Sequence, residues 1–449
     1  MKTLLRGGRL AVDDRLESWE LLLEDGRIAA MGPALEATPD RVLDATGAYV
    51  LPGFIDIHTH LDDRIGNFEL ADDYERGSRV AVLNGITTIG SFVTQGPEET
   101  LRAAMQRARA KALGRLHADL AWHLTPTTFS EADFAFLETL PRAGYHTIKL
   151  YSTYREAGIF SDYARMATLF RRLAPLGFRF LVHGEDDALL SAVDLSSLDL
   201  ASASSHGRMR SIEAEVAAIS TLAALAAETG ASIHVVHVSS TAGAAAVAKG
   251  RAIADLSCET CPQYLWLSAD HLAQPDGHRW LCCPPLRQDP SGLRALAQTG
   301  AFEVLATDHC AFRAEDKENW DHCDIRTVAS GLPGLGALPH LAWKIWEGDL
   351  DVAALAMARH LSREPARVMG FSHRKGALES GLDADVVVLD ASGVQRPIQA
   401  SLSAVYDPYS GFTSPLAFRH VLRRGEVVVA HDNLCSPERP SGQLLQGEP

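Results

Sequence analysis

The spacing of apolar and polar positions changes character twice along the chain. Residues 18–32 (SWELLLEDGRIAAMG) place two apolar runs either side of Asp25-Gly26, the pattern of a β-hairpin. Residues 41–51 predict a further short strand pair about Thr46-Gly47. The far end repeats the pattern. Residues 384–390 (ADVVVLD) and 421–430 (VLRRGEVVVA) read as strands, with a turn at Arg424-Gly425. Neither end is large enough to bury a core alone. Together they predict one small β-sandwich domain, residues 1–52 plus 373–449, interrupted by the middle of the chain. The tail after Asp432 reads as a surface arm.

The middle, residues 53–372, alternates short β-branched runs with Ala-, Leu- and Arg-rich stretches. The strand candidates are 54–60 (FIDIHTH), 85–93, 119–127, 147–154, 178–186, 232–240, 253–261 and 302–310. Helical patterns such as 97–114, 162–176 and 212–229 separate them. Eight βα units predict an α/β fold whose parallel sheet closes into a (β/α)8 TIM barrel. An open doubly wound sheet is the alternative, but no Gly-rich phosphate fingerprint follows the first strand.

Composition narrows the class. Of 449 residues, 46% are hydrophobic and 22% charged, which excludes global disorder. The formal net charge of −15 argues against nucleic acid as a partner. The N-terminus carries no apolar signal region, and no run is long enough to span a bilayer, so a cytoplasmic protein without a membrane partner is expected. Seven cysteines, an odd number without secreted-domain spacing, argue against a disulfide framework.

The candidate chemistry lies at the C-terminal ends of the barrel strands, where such folds assemble their sites. His58 and His60 are two apart and share a face of the first strand. An isolated pair of this kind is more often two surface histidines, but this one ends an apolar strand launched from Pro52-Gly53. His183, His237 and Asp308 end the fifth, sixth and eighth strands. Imidazoles with a carboxylate suit zinc and similar dications. His234 is three residues from His237 and is expected to face the surrounding helices. His123 and His309 read as satisfied polar groups beside the site. Lys149 lies within the fourth strand. Composition alone favours a structural lysine paired to a carboxylate, whereas a buried neutral amine could add carbon dioxide and bridge two metals as a carbamate. Cys258, Cys261, Cys282 and Cys283 could form a zinc knuckle, although adjacent cysteines suit tetrahedral ligation poorly.

In order, PGFIDIHTHLD, IKLYSTY, VHGED, VHVSS and ATDHC resemble the amidohydrolase superfamily, and within it the hydantoinase and dihydropyrimidinase branch of cyclic amidohydrolases. CETCPQYL, CCPPLR and SGLPG extend the resemblance over nearly the whole chain. It implies two divalent metal ions, with zinc the expected metal. His58, His60 and Asp308 would hold one, His183 and His237 the other, and carboxylated Lys149 would bridge them. It further implies that Tyr154 contacts the substrate carbonyl, that Cys283 and Ser330 line the substrate, and that Asp308 relays the proton during hydrolysis. Family members usually carry Ser and Asn at the last two positions. Assembly as a homotetramer or homodimer is also implied.

The substrate expected is a small cyclic amide. Dihydroorotases resemble one another in placing Arg two residues after the second histidine, to grip a carboxylate. Here that position is Asp62, and Arg64 has the wrong offset. A neutral hydantoin or dihydropyrimidine ring fits better than a dihydroorotase-type substrate, and an allantoinase-type substrate stays an alternative without positive support from the loop. Ile65, Phe68, Ile159 and Phe160 either border an apolar ring substituent or pack their own loops. A reading of another class, a non-catalytic collapsin-response-mediator-like binding protein, is disfavoured because all six candidate ligands are kept.

Overall fold

The computed structural model describes residues 1–403 and 405–448. Eight parallel strands form the central sheet: β1 (Phe54–Thr59), β2 (Ile86–Thr94), β3 (Asp119–Thr125), β4 (Thr147–Tyr151), β5 (Arg179–His183), β6 (Ser232–Val235), β7 (Leu256–Thr260) and β8 (Val304–Leu305). They are ordered as they occur in the chain. β1 is buried on both faces because helices cover the outside and side chains fill the inside. The short β8 does not pair with β1 directly. Closure comes just beyond it, where His60 N donates to His309 O at 2.7 Å and His309 N to His58 O at 3.3 Å. Thr307 Oγ1 reinforces the seam by donating to Asp56 Oδ2 at 2.6 Å. Among the described residues no helix is long and apolar enough to cross a membrane.

Both termini build two further sheets. One orders Arg27–Gly32, Glu20–Glu24, Lys2–Arg6 and Arg41–Asp44. The other joins Asn433–Leu434, Glu426–Ala430, Thr413–Arg423 and Val386–Pro397 to Tyr49–Pro52, Arg9–Val12 and Arg15–Glu17. Leu5, Leu21, Leu23 and Leu43 from the first pack with Leu10, Val50, Val386, Val388 and Leu422 from the second in one core. The expected strand pair about Thr46-Gly47 needs correction. Arg41–Asp44 pairs with Lys2–Arg6, whereas Tyr49–Pro52 pairs with Val386–Pro397 and Arg9–Val12. Buried Ala45 and Ala48 carry the turn through the shared core, so it crosses from one sheet to the other.

The C-terminal tail is also more than a surface arm. β3 and β4 pair only at Leu124–Ile148, which leaves backbone groups of β3 free near its start. The tail supplies their partners. Leu120 N donates to Gln443 O at 2.8 Å and Leu445 N to Leu120 O at 2.8 Å. The Gln446 amide bonds the Trp122 N–H and carbonyl at 2.7 and 2.9 Å.

Candidate metal centre and substrate pocket

The strand ends bring His58, His60, Lys149, His183, His237 and Asp308 together at one end of the barrel, with Tyr154, Cys283 and Ser330 beside them. His58 Nε2 and His60 Nε2 lie 3.1 and 3.3 Å from Asp308 Oδ1. The ligand atoms of these three residues all fall within 4.8 Å of one another. His183 Nδ1 and His237 Nε2 face each other at 2.9 Å. The His58 and His237 rings, 5.4 Å apart, link the two groups. The Tyr154 ring is 5.0 Å from that of His183, and Cys283 Sγ is 3.4 Å from Ser330 Oγ.

Three of these residues are held by unusual backbone. Tyr154, His237 and Asp308 have φ of +73°, +40° and +50°. Non-glycine residues rarely adopt such angles, and strain of this kind gathers where a side chain must be aimed. At His237 it explains a departure from simple alternation. Lys149, Leu181 and His234 share a register across β4, β5 and β6, so His234 faces the barrel interior. The expectation that it faces the helices is therefore wrong. His234 lies below the mouth, with Nδ1 2.8 Å from Ser257 Oγ and Nε2 3.1 Å from Glu259 Oε2. Strand parity would send His237 outward. Its positive φ, just past the end of β6, returns the ring to the mouth.

Two carboxylates that the sequence reading passed over orient the imidazoles. Glu259 binds His58 Nδ1 with one oxygen and His234 with the other. Glu185 accepts from His183 Nε2 at 2.6 Å and pairs with Arg210. Both are fully buried, which would raise a carboxyl pKa, but their cationic and imidazole partners outweigh burial and hold them ionised. Their positions carried a signal. Glu185 follows His183 by two residues, and Glu259 lies on the inward face of β7, two after Ser257.

The donor set fits metal ions. With Nδ1 of His58 and Nε2 of His183 engaged by carboxylates, the opposite ring nitrogens carry bare lone pairs. The His58 lone pair is aimed at the Asp308 carboxylate, an arrangement that a cation between them satisfies, and the His183 lone pair is aimed at His237 Nε2, which can donate to it or join it in ligating a metal ion. Lys149 Nζ is buried and has no hydrogen-bond partner. It lies over the faces of Phe92 and Tyr151, 5.0 and 5.1 Å from the ring centroids. Burial brings its amine down to about 8, against the pull of Glu259 and Asp308.

His123 and His309 are satisfied as polar groups. His123 contacts Thr147 Oγ1 and Ile57 O at 2.7 and 2.8 Å, and burial lowers it to about 3. His309 contacts Asp72 Oδ2 at 3.0 Å and accepts from Gly334 N at 3.1 Å. Among the described residues the four cysteines form no ligand group. Cys258 Sγ faces Ala301 O, and Cys282 Sγ donates to Pro284 O. Asp62 is turned away to Lys111 and Arg115, at 3.1 Å each. Arg64 is exposed and bonds Asn67 O. Phe68 packs on Phe312, and Arg155 covers Phe160.

Comparison with known proteins agrees with this geometry. Residues 49–428 match the amidohydrolase family model. The chain is 31% identical to a D-hydantoinase of Streptomyces coelicolor, over 95% of this chain and 94% of the relative. It is 30% identical to a D-phenylhydantoinase of Escherichia coli, over 100% and 99% of the two chains. Among solved structures, a dihydropyrimidinase from Brevibacillus agri superposes with a TM-score of 0.92 at 27% identity, covering 100% of this chain and 99% of the other. An L-hydantoinase from Arthrobacter aurescens superposes at 0.87 with 25% identity and 99% coverage of each. The chain belongs to the amidohydrolase family, a class whose fold and histidine–carboxylate centre imply divalent metal, and within it to the hydantoinase and dihydropyrimidinase branch.

Proposed function

We propose that the protein opens a neutral cyclic amide, a hydantoin or dihydropyrimidine ring, by hydrolysis of a ring C–N bond. The observation that carries this reading is the convergence of bare imidazole nitrogens and Asp308 around the partnerless amine of Lys149. His58, His60 and Asp308 would hold one divalent ion, and His183 and His237 a second, with zinc the metal we assign. Lys149 would bridge them as a carbamate: its nitrogen bonds the carbon of carbon dioxide and loses a proton, which turns a buried amine into a two-oxygen anion. Bound there, the metals supply Lewis acidity towards the amide carbonyl and lower the pKa of a water.

The chain's own groups divide the remaining work. Asp308 is partly buried, and the surrounding imidazoles outweigh that burial and hold it as the anion. It can therefore take a proton from the attacking water and return it to the ring nitrogen that leaves. The Tyr154 hydroxyl, kept protonated by burial, donates to the carbonyl oxygen as that oxygen gains charge. Glu185 and Glu259 keep His183 and His58 in the tautomers that face the site.

The absence of a positioned arginine after the histidine pair, with Asp62 and Arg64 engaged elsewhere, favours a ring without a carboxylate. The test is a panel of dihydrouracil, substituted hydantoins, allantoin and dihydroorotate, with metal content measured on the same sample. Ring opening of hydantoins or dihydrouracil with about two metals per chain is expected. Preference for dihydroorotate would overturn the substrate assignment. Protein without metal and without turnover would favour a binding protein. Assembly as a tetramer or dimer belongs to the same reading and is tested by light scattering.

A further inference from the structure

One pocket group has no part in the hydrolytic scheme. Cys283 is partly exposed at the barrel mouth. Its Sγ lies 3.7 Å from His206 Nε2, and that nitrogen is 2.9 Å from the Cys282 carbonyl oxygen. A carbonyl only accepts, so Nε2 carries the proton and the sulfur shares its N–H. The Tyr154 hydroxyl neighbours Cys283, and the Arg210 guanidinium sits 4.8 Å from the centre of the Tyr154 ring. Partly buried Arg210 is itself fixed by Glu185, at 3.1 and 3.2 Å from Nε.

These neighbours set the state of the sulfur. Burial pushes the thiol up and Glu185 adds to that push, but Arg210 and His206 outweigh both and bring it down to about 6. Lys317 is the further cation on this side, its amine brought down to about 8 by burial against Cys282, Cys310 and Cys283. The other pocket-side cysteines behave oppositely: burial drives Cys261, Cys282 and Cys310 upward. The thiolate is the reactive form, and a cationic, partly exposed setting is where reactive cysteines occur.

We propose that Cys283 is a modification site, a nucleophilic thiolate in the substrate pocket whose oxidation by a hydroperoxide stops ring opening. The sulfur attacks one peroxide oxygen. An S–O bond forms and the O–O bond breaks, so that sulfur is oxidised to sulfenic acid and the peroxide is reduced. The second oxygen leaves as hydroxide (or alkoxide) and takes up a proton. The new S–OH group occupies space beside Tyr154 and competes for its hydroxyl. Two equivalents of a small thiol reverse the change: one displaces water to give a mixed disulfide, and the second frees Cys283.

The test uses full-length, zinc-loaded protein. Each cysteine is alkylated with iodoacetamide from pH 5 to 9, and its rate is read by peptide mass spectrometry. Cys283 should label half-maximally near pH 6. At pH 5.5 it should outrun a free cysteine peptide about tenfold, because its larger thiolate fraction exceeds the nucleophilicity lost with a lower pKa. His206→Leu should move the half-point upward. Hydrogen peroxide should then lower turnover about tenfold or more at constant zinc content, place a dimedone adduct on Cys283 and be reversed by dithiothreitol. The residual turnover of Cys283→Ser should not respond to peroxide. A Cys283 profile that still rises above pH 8 overturns the proposal, as does equal peroxide sensitivity in the wild type and Cys283→Ser. The turnover arm rests on the ring-opening reading and the labelling arm does not. An untreated enzyme that opens no ring would sink that reading, and the labelling profile would still decide this one.

Discussion

Glu185 accepts the Nε2–H of His183 at 2.6 Å, and this one bond decides which nitrogen of His183 faces the barrel mouth. Outer carboxylates of this kind raise ligand basicity, and their loss commonly weakens metal binding 10–100-fold. Glu185→Gln should therefore lose metal to a competing chelator about 10–100-fold more readily than the wild type. Unchanged metal affinity would mean that Glu185 serves only Arg210.

Lys149 should be indispensable in a specific way. Lys149→Ala removes the amine that would become the bridging carbamate, and both metal content and ring opening should fall to background. A small carboxylic acid added to the variant should partly restore both, since it offers two oxygens in the vacated space. Full metal occupancy and turnover in Lys149→Ala would contradict the bridging role.

Tyr154→Phe deletes a single hydroxyl and keeps the ring that packs on His183. Metal content should be unchanged. Turnover should drop about 10²–10³-fold, the usual consequence of losing one donor to a developing oxyanion. Wild-type turnover at wild-type metal content would remove Tyr154 from the reaction.

Far from the mouth, Lys375 anchors a buried ion cluster between barrel and terminal sheets, 2.9 Å from Asp119 and 2.6 Å from Asp385. Burial alone would raise Asp119, but Lys375, Arg424 and Arg423 outweigh it and hold the carboxyl near 2, below its usual 3.8. A depressed carboxyl stabilises the fold above its unfolded pKa, and that contribution fades as pH falls from about 4 towards 2. Lys375→Met should cost about 3–5 kcal/mol at pH 7, because it leaves buried carboxylates short of a partner. It should also move the acid-unfolding midpoint upward. Urea titrations at pH 7 and pH 4 would measure both, and superimposable wild-type and variant curves would refute the role.

Much of the architecture could be read from local pattern. Seven of the eight barrel strands fall within the segments their β-branched runs predict, the other, Ile86–Thr94, runs one residue past its segment, and the Asp25-Gly26 and Arg424-Gly425 turns lie where their residues require. The ends of the strands were less legible. β6 stops at Val235 and β8 spans two residues, although apolar character continues beyond each. The terminal sheets misled at Thr46-Gly47, since a turn sequence specifies a reversal but not which sheet receives the next strand.

Residue type and spacing alone determined the inventory of the site: the His58 and His60 pair on one strand face, an oddly placed lysine, and imidazoles and a carboxylate closing successive strands. Tertiary structure decided how these groups are aimed. Inward rather than outward His234, the Glu259 support of His58, the Arg210 that fixes Glu185, and the Arg210–His206 setting of Cys283 all depend on neighbours tens to hundreds of residues away, and positive φ at Tyr154, His237 and Asp308 aims the side chains among them. The physical reason is range. Hydrophobic period and turn chemistry act over a few residues, whereas side-chain orientation and ionisation are set by whichever charges and backbone the closed barrel brings within a few ångströms.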